Sequence, residues 1–334
     1  MSKFLITGGA GFIGSHIVET LVRKKQFVRV LDNFSSGNKK NLKEIIDKIE
    51  LIKGDIKSLD TCIRATKGID FVLHQAALRS VPKSMKNPKE YNEVNINGTL
   101  NMLEAALKNK VKSFVFASSS SVYGDINNFP EREDFLPQPI SPYALTKLSG
   151  EHYCRIFSQH YGLPTVSLRY FNVFGPRQSL DDEYAVVIPK FINCILNAKS
   201  VPIYGTGRQS RDFTYVANVV EANILAIQKG NFSRRSGIPH FAGKGEVFNV
   251  AGGKDYTILS LLEILNTIMH KNIKPIFLAC RPGDVFKTKA DISTAAKGLC
   301  YKPKIGFVEG LKLTVDCFKS ERVEPVEQAN RQTG

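Results

Sequence analysis

The sequence predicts an α/β chain built on a doubly wound parallel sheet, and three observations carry that expectation. Short apolar runs alternate with longer amphipathic runs through the first half, the first apolar run opens into a glycine-rich turn, and the alternation fades after Asn172 into short Gly- and Pro-rich elements. Strands buried on both faces read as continuous apolar stretches, which is the pattern of parallel sheets with helices on either side.

Taken in order, Lys3 to Thr7 reads as a buried strand and Phe12 to Arg23 as a helix that turns Ile13, Ile17, Leu21 and Val22 toward the sheet. Phe27 to Leu31 is a second strand, ended by Asp32. Strands are expected near Ile49 to Gly54, Phe71 to His74, Ser113 to Ser118 and Thr165 to Arg169. Helices are expected near Asn41 to Lys48, Ser58 to Ala65, Tyr91 to Lys108 and Tyr143 to Tyr161. Phe213 to Gln228 reads as a strand-edge loop and helix, and Val247 to Val250 as a late strand returning to the sheet. These spans predict a Rossmann-type domain over residues 1–172, with returning segments near 213–228 and 246–250. A smaller, interleaved C-terminal substrate-binding domain would cover 173–318 mainly, and a frayed polar tail 319–334.

The turn Gly8-Gly9-Ala10-Gly11-Phe12-Ile13-Gly14 assigns a role to each glycine of its triplet. Gly8 makes the tight turn, Gly11 lets the backbone approach a pyrophosphate, and Gly14 allows close packing of the helix, whose unpaired amides then face the phosphates. Asp32 stands where a carboxylate takes adenosine ribose hydroxyls. It would repel a 2'-phosphate, so NAD is favoured over NADP despite Lys39 and Lys40 close by.

A chain of 334 residues suffices for a large core with an attached lobe. Six cysteines without pairing or ligand spacing imply a reduced compartment and no structural metal. The sequence passes from Met-Ser-Lys into the first strand and has no apolar stretch of spanning length, so a cytoplasmic protein without membrane insertion is expected. The net charge of +15 comes from scattered lysines without interleaved aromatics. It reads as a solvated basic face that favours anionic ligands, not as a nucleic-acid surface.

Tyr143 and Lys147 lie four residues apart, on one helix face. A free phenol, with a pKa of roughly 10, is a poor base at neutral pH. A nearby ammonium and the positive charge of a nicotinamide both favour phenolate, which makes Tyr143 a candidate general base. A packed tyrosine with a solvated lysine is the bland alternative. The serines before Val122-Tyr123-Gly124 end an apolar strand, where hydroxyls can bond a substrate hydroxyl without adding charge, or simply form a polar turn.

The chain closely resembles the extended short-chain dehydrogenase/reductase family, and within it the nucleotide-sugar 4-epimerases, most of all those acting on UDP-N-acetylglucosamine. The resemblance spans nearly the whole length. It is carried by Gly8-x-x-Gly11-x-x-Gly14, Asp55-Ile56, His74-Gln75-Ala76-Ala77, Asn95, Ser118-Ser119-Ser120-Ser121-Val122-Tyr123-Gly124, Tyr143-x3-Lys147, Arg169 to Arg177, Arg211-Asp212-Phe213 and Arg281-Pro282-Gly283-Asp284. It implies Ser119, Tyr143 and Lys147 as the catalytic set. It implies an NAD site of Gly8, Gly11, Phe12, Ile13, Gly14, Asp32, Asn33, Gly37, Asp55, Ile56, Gln75, Ala76, Ala77, Asn95, Tyr143, Lys147 and Tyr170.

For a UDP-sugar the resemblance implies Arg79, Ser119, Ser120, Ser121, Tyr143, Asn172, Val186, Val187, Lys190, Tyr204, Arg211, Arg281, Asp284 and Thr288. Asn172, Arg211 and Arg281 would hold the pyrophosphate, for which a guanidinium fork is suited. Val186, Val187, Lys190 and Tyr204 would border the uridine. A homodimer is also implied, joined by the helices near Tyr91 to Lys108 and Tyr143 to Tyr161.

Dehydratases of the family carry Thr-Asp-Glu where this chain has Ser119-Ser120-Ser121, and decarboxylases a Glu in place of Ser121. With neither carboxylate, the equipment is that of reversible hydride transfer, hence C4 epimerisation. Thr288 stands where epimerases restricted to plain hexoses carry a bulky Tyr, so an N-acetyl group has room. Arg79 replaces a frequent Gly and can pair with a C6 carboxylate, or equally with a cofactor phosphate or solvent; the first keeps a UDP-hexuronic or UDP-N-acetylhexosaminuronic acid as the alternative substrate. A non-catalytic NAD or nucleotide-sugar sensor is a further alternative.

Overall fold

The computed structural model describes residues 1–178, 187–235, 245–280 and 285–331. Its centre is a seven-stranded sheet in the order β11-β6-β5-β4-β1-β2-β3, from β1 (Lys3–Thr7), β2 (Phe27–Asp32), β3 (Glu50–Lys53), β4 (Phe71–His74), β5 (Ser113–Ser119), β6 (Thr165–Tyr170) and β11 (Glu246–Val250). Every pairing in it is parallel. The strand order reverses between β1 and β4, and such a switch point opens a crevice at the carboxyl ends of the strands. Apolar side chains pack on both faces. One core gathers Ile17, Val18 and Leu21 of α1 (Phe12–Arg23) with Val28, Val30 and Val115. The other joins Cys62 of α2 (Leu59–Thr66), Met102 and Leu103 of α5 (Gly98–Lys108), and Cys154 and Phe157 of α6 (Pro142–His160) to Val72, Phe114 and Phe116.

Two expected helices are wound differently. Residues Lys39–Lys48 form a 3-10 helix in which Leu42 is buried, since a run so rich in charge offers little apolar face to hold a full α-helix. The helix expected from Tyr91 follows the short helices α3 (Val81–Lys86) and α4 (Pro88–Tyr91) and begins with a π turn, Asn92–Asn97, before α5. Within that turn Asn95 bonds the Leu78 N–H (2.8 Å), the Leu78 carbonyl (2.9 Å) and the Thr146 hydroxyl (3.0 Å). Inserted turns of this kind often serve such side-chain bonding.

Beyond β6 the elements are short: β7 (Val173–Phe174), α7 (Val187–Leu196), β8 (Val201–Tyr204), β9 (Ser210–Asp212), β10 (Thr214–Tyr215), then α8 (Val216–Arg235). After β11 come β12 (Asp255–Thr257), α9 (Ile258–Met269), β13 (Pro275–Leu278), α10 (Ser293–Leu299) and α11 (Phe307–Arg331). The pairs β7–β10, β8–β13 and β9–β12 stand apart from the main sheet. Phe191, Ile195, Leu261, Leu265 and Leu311 bury a separate core among them. The polar stretch after Lys319 lies within the bounds of α11, which runs to Arg331.

Behind the carboxyl end of β5 lies a buried ion pair. Arg169 donates through Nε and Nη2 to both oxygens of Glu151 (2.9 and 2.8 Å), with side chains 4% and 5% exposed. Ser118 adds a hydrogen bond to the same carboxylate. Removing one partner strands a buried charge, so Glu151→Ala is expected to lower the unfolding free energy by about 3–5 kcal/mol. Urea denaturation followed by circular dichroism would measure the loss.

Candidate functional site

The switch point opens into a continuous cleft of about 2400 Å³, larger than a pocket for one drug-sized ligand and ample for two nucleotides. Its floor begins at the glycine turn. Gly8 has φ +65°, and a Cβ there would lie 2.9 Å from the Ala76 backbone, just past β4. A Cβ on Gly14 would lie 2.2 Å from the Gly8 carbonyl oxygen, so the start of α1 rests directly on the turn. Asp32 ends β2 with its Oδ2 accepting from Ala10 N–H (2.9 Å) and its Oδ1 from Phe34 N–H (2.8 Å). Each oxygen keeps acceptor capacity for a ribose hydroxyl. Gly37 closes over it: a Cβ there would fall 2.9 Å from both carboxylate oxygens.

Asn33 donates to Asp55 (3.1 Å), and Gly11, Phe12, Ile13, Ile56, Gln75 and Ala77 complete this end of the lining. Tyr170 lines the cleft but its hydroxyl is held by Gln75 and Asn223. Asn95 is 2% exposed and absent from the described lining of the cleft, and its amide is spent on Leu78 and on Thr146 of α6, so it braces the helix that carries Tyr143.

The middle of the cleft is formed where α6 meets the end of β5. Ser141 caps the helix, its hydroxyl accepting from Ala144 N–H (3.2 Å), and Pro142 suits the first turn. Tyr143 is thereby set at the mouth and Lys147 one turn inward. Lys147 Nζ donates to the Ala117 carbonyl at 2.7 Å and is 6.0 Å from the Tyr143 ring centre. Burial lowers its pKa to about 8, opposed by Cys154 and Glu151.

Burial also pushes the Tyr143 phenol above its ordinary value, against a hydrogen bond with Ser119 and the charge of Arg79. The expected pull from Lys147 is therefore supplied by other groups, since the ammonium is turned to a carbonyl. Ser119 Oγ also accepts from the Ser121 N–H (3.2 Å) and hydroxyl (3.0 Å), and Ser120 and Ser121 line the cleft beside it.

At the far end Asn172, at φ +31°, donates to the Thr288 hydroxyl (3.0 Å) and the Asp212 carbonyl (3.1 Å). Arg211 is 9% exposed and donates to the Ser210 and Phe286 carbonyls (2.9 and 3.2 Å). Arg79, Asn172, Arg211 and Thr288 all line the cleft. Val187, Lys190 and Tyr204 do not: Lys190 Nζ sits 5.4 Å over the Tyr204 ring, outside the described lining. Val186, Arg281 and Asp284 lie outside the described residues.

Sequence reading missed Glu131, Arg177 and Gln178, all of which line the cleft. Arg177 was quoted within a motif without a role, and it pairs with Glu19 of α1 at 2.6 Å. Among the described residues no cluster of His, Cys, Asp or Glu is placed to hold a metal, and no helix is long and apolar enough to cross a membrane.

Residues 4–251 match the NAD dependent epimerase/dehydratase family. The chain belongs to that family. It is 43% identical to the UDP-N-acetylglucosamine 4-epimerase of Methanobrevibacter ruminantium M1, solved in complex with UDP-N-acetylmuramic acid, with TM-score 0.87, covering 96% of this chain and 99% of the other. It is 34% identical to the UDP-glucuronic acid 4-epimerase of Bacillus cereus, solved with UDP-glucuronic acid and NAD, with TM-score 0.85 and 95% and 99% covered. A putative UDP-glucose 4-epimerase of Methanocaldococcus jannaschii is 38% identical over 95% of this chain and 98% of its own length.

As in the epimerase/dehydratase family generally, the cofactor is NAD, and the glycine turn and the Asp32 carboxylate fit a dinucleotide. Gly14→Ala drives a methyl into the Gly8 carbonyl and is expected to cut NAD retention by at least about tenfold. NAD released on denaturing the purified variant and the parent, at matched protein concentration, gives the comparison.

Proposed function

We propose that the protein interconverts UDP-N-acetylglucosamine and UDP-N-acetylgalactosamine by inversion at C4 through a 4-keto intermediate, with UDP-glucose and UDP-galactose as an additional pair. The observation that carries this reading is the Tyr143 phenol, hydrogen-bonded to Ser119 over the carboxyl edge of the sheet and sharing one cleft with the glycine turn. A sensor has no use for that pair.

Bound NAD supplies a reversible hydride acceptor at the sugar C4. The chain's own residues do the rest. Gly8, Gly11 and Gly14 receive the cofactor's phosphates and Asp32 its ribose, while Lys147 stays anchored to Ala117 at the ribose side. Ser119 hydrogen-bonds O4 and relays its proton to Tyr143, which holds it. Arg211 and Asn172 keep the pyrophosphate end fixed, so the flat ketosugar can turn and present its other face. Tyr143 then returns the proton to the inverted O4.

Two features support an N-acetylated sugar: the small Thr288 in the cleft wall and the likeness to a UDP-N-acetylglucosamine 4-epimerase. One feature favours a second reading, a UDP-uronic acid: Arg79 is a cation in the same cleft, close enough to pull down the Tyr143 phenol.

Incubating the holoenzyme with UDP-N-acetylglucosamine should yield its C4 epimer with no net NADH, resolved by chromatography and absorbance at the reduced-cofactor band. Absence of C4 epimers from the N-acetylated, plain and uronic UDP-sugars alike would remove the reading. Tyr143→Phe should keep the fold and bound NAD and lose about 10²–10⁴-fold in kcat; turnover equal to the parent's would overturn the role given to this phenol.

We also propose a homodimer joined through α5 and α6, supported by Leu145 and Ile156, which stand 53% and 43% exposed on α6. Replacing both with Glu should convert a dimer to a monomer in sedimentation velocity; an unchanged coefficient would place the seam elsewhere.

A further inference from the structure

The side chains at the far end of the cleft are held by a residue that does not reach it. Asp212, at the end of β9, is 0% exposed and absent from the described lining. Its Oδ1 accepts from the N–H groups of Gly252 (2.9 Å) and Gly253 (3.2 Å), and its Oδ2 from those of Gly253 and Ala290 (3.2 Å each). Burial pushes the carboxyl up to about 7 against the pull of these donors, and its oxygens can accept in either protonation state. A buried N–H left without its acceptor is costly, so one side chain that serves three of them is an anchor.

The backbone of the same residue serves the cleft. Its N–H donates to the Thr288 hydroxyl (3.2 Å), and its carbonyl accepts from the Asn172 amide (3.1 Å). Its chain neighbour Arg211 donates through Nη1 to the Ser210 and Phe286 carbonyls (2.9 and 3.2 Å). Thr288, Asn172 and Arg211 all line the cleft. On the other side of the anchor, Gly252 and Gly253 lie in the turn after β11, an edge strand of the main sheet, and Ala290 lies two residues beyond Thr288. The carboxyl of Asp212 thus fixes the three cleft residues relative to the sheet whose β5 ends at Ser119.

Resting on the reading above that places Arg211 and Asn172 at the pyrophosphate, we infer that Asp212 is a positioning residue for the substrate: its carboxyl sets the clamp that receives the diphosphate of a nucleoside diphosphate sugar, and it does so without touching the ligand. Asn in place of Asp212 keeps the shape but turns an NH2 group toward a backbone N–H whichever way the amide lies, since both oxygens are acceptors in use. The glycine turn, Asp32 and the contact between Tyr143 and Ser119 are left as they are.

The test measures UDP affinity by calorimetry, NAD content after denaturation, and KM and kcat for UDP-N-acetylglucosamine, in the parent holoenzyme and in Asp212→Asn. UDP affinity should fall by about tenfold or more in the variant, with NAD content equal to the parent's. The loss should appear in KM, with kcat changed by less than about threefold. Gly252→Ala is a second variant that keeps the carboxyl: a Cβ there would lie 2.8 Å from the Phe213 carbonyl oxygen and 3.3 Å from Asp212 Oδ1, so it shifts the anchor from outside the described lining. It should weaken UDP binding by about threefold or more at the parent's NAD content.

Affinity equal to the parent's in Asp212→Asn overturns the inference, as does NAD lost in step with UDP. Where Asp212→Asn does not fold, Gly252→Ala decides by the same two measurements. UDP carries no hexose, so its affinity decides the role of Asp212 whichever sugar is turned over. A parent holoenzyme that does not bind UDP overturns the functional reading and the inference with it; a parent that binds UDP and a variant that binds it equally overturn the inference alone.

Discussion

The position of the Tyr143 phenol depends on how α6 is fastened to the end of β5. The Lys147 ammonium, 5% exposed, is satisfied by the Ala117 carbonyl at 2.7 Å and lies 5.0 Å over the Phe116 ring. Three residues on, Gly150 meets that same ring, and a Cβ there would fall 2.3 Å from it. The next residue, Glu151, ties Ser118 of β5 to Arg169 of β6. These groups bury charge, which is unfavourable alone and is held here by near-complete hydrogen bonding. The return is geometric: the strand end and the first turn of the helix cannot slide, so Ser119 and Tyr143 keep their contact.

That fastening has an electrostatic consequence. With Lys147 drawn to a backbone carbonyl, the phenol feels burial more than any cation, and its pKa stands above the ordinary value. Tyr143 therefore rests protonated at neutral pH. Ser119 and Arg79 lower it in part. In the proposed reaction a positively charged nicotinamide would supply the remainder, which would make proton transfer to Tyr143 conditional on an occupied cofactor site.

The sheet and the cofactor end were legible in the sequence because each rests on local rules. The strands from Lys3 to Thr7 and from Phe71 to His74 are apolar runs with identifiable ends, the glycine turn needs a positive φ that Gly8 supplies, and the helix expected from Tyr143 begins one residue earlier, at Pro142. What was not legible depends on distant partners. The π turn at Asn92–Asn97 answers to Leu78 and Thr146, and no periodicity within the helix reports them. Glu131 reads as one charge in a polar loop, and only the parallel bridge to Ala290 buries it beside the cleft. Lys190 and Tyr204, which the resemblance puts at the uridine, are absent from the described lining of the cleft, with Lys190 Nζ 5.4 Å over the Tyr204 ring.

On the proposed function, Thr288 ties room for the sugar and grip on its diphosphate into one arrangement. Its hydroxyl accepts from the Asn172 amide at 3.0 Å and from the Asp212 N–H at 3.2 Å. The Asp212 carboxylate in turn gathers the N–H groups of Gly252, Gly253 and Ala290, which binds β9 to the turn after β11 and to the strand segment that carries residue 288. Asn172 sits at φ +31°, a conformation a side chain rarely holds without outside support, and the Thr288 hydroxyl is part of that support. A larger residue at 288 would therefore do more than fill space. Without a hydroxyl at the same point it would release Asn172, loosening the hold on one end of the substrate while crowding the other, so substrate size and anchoring are selected together.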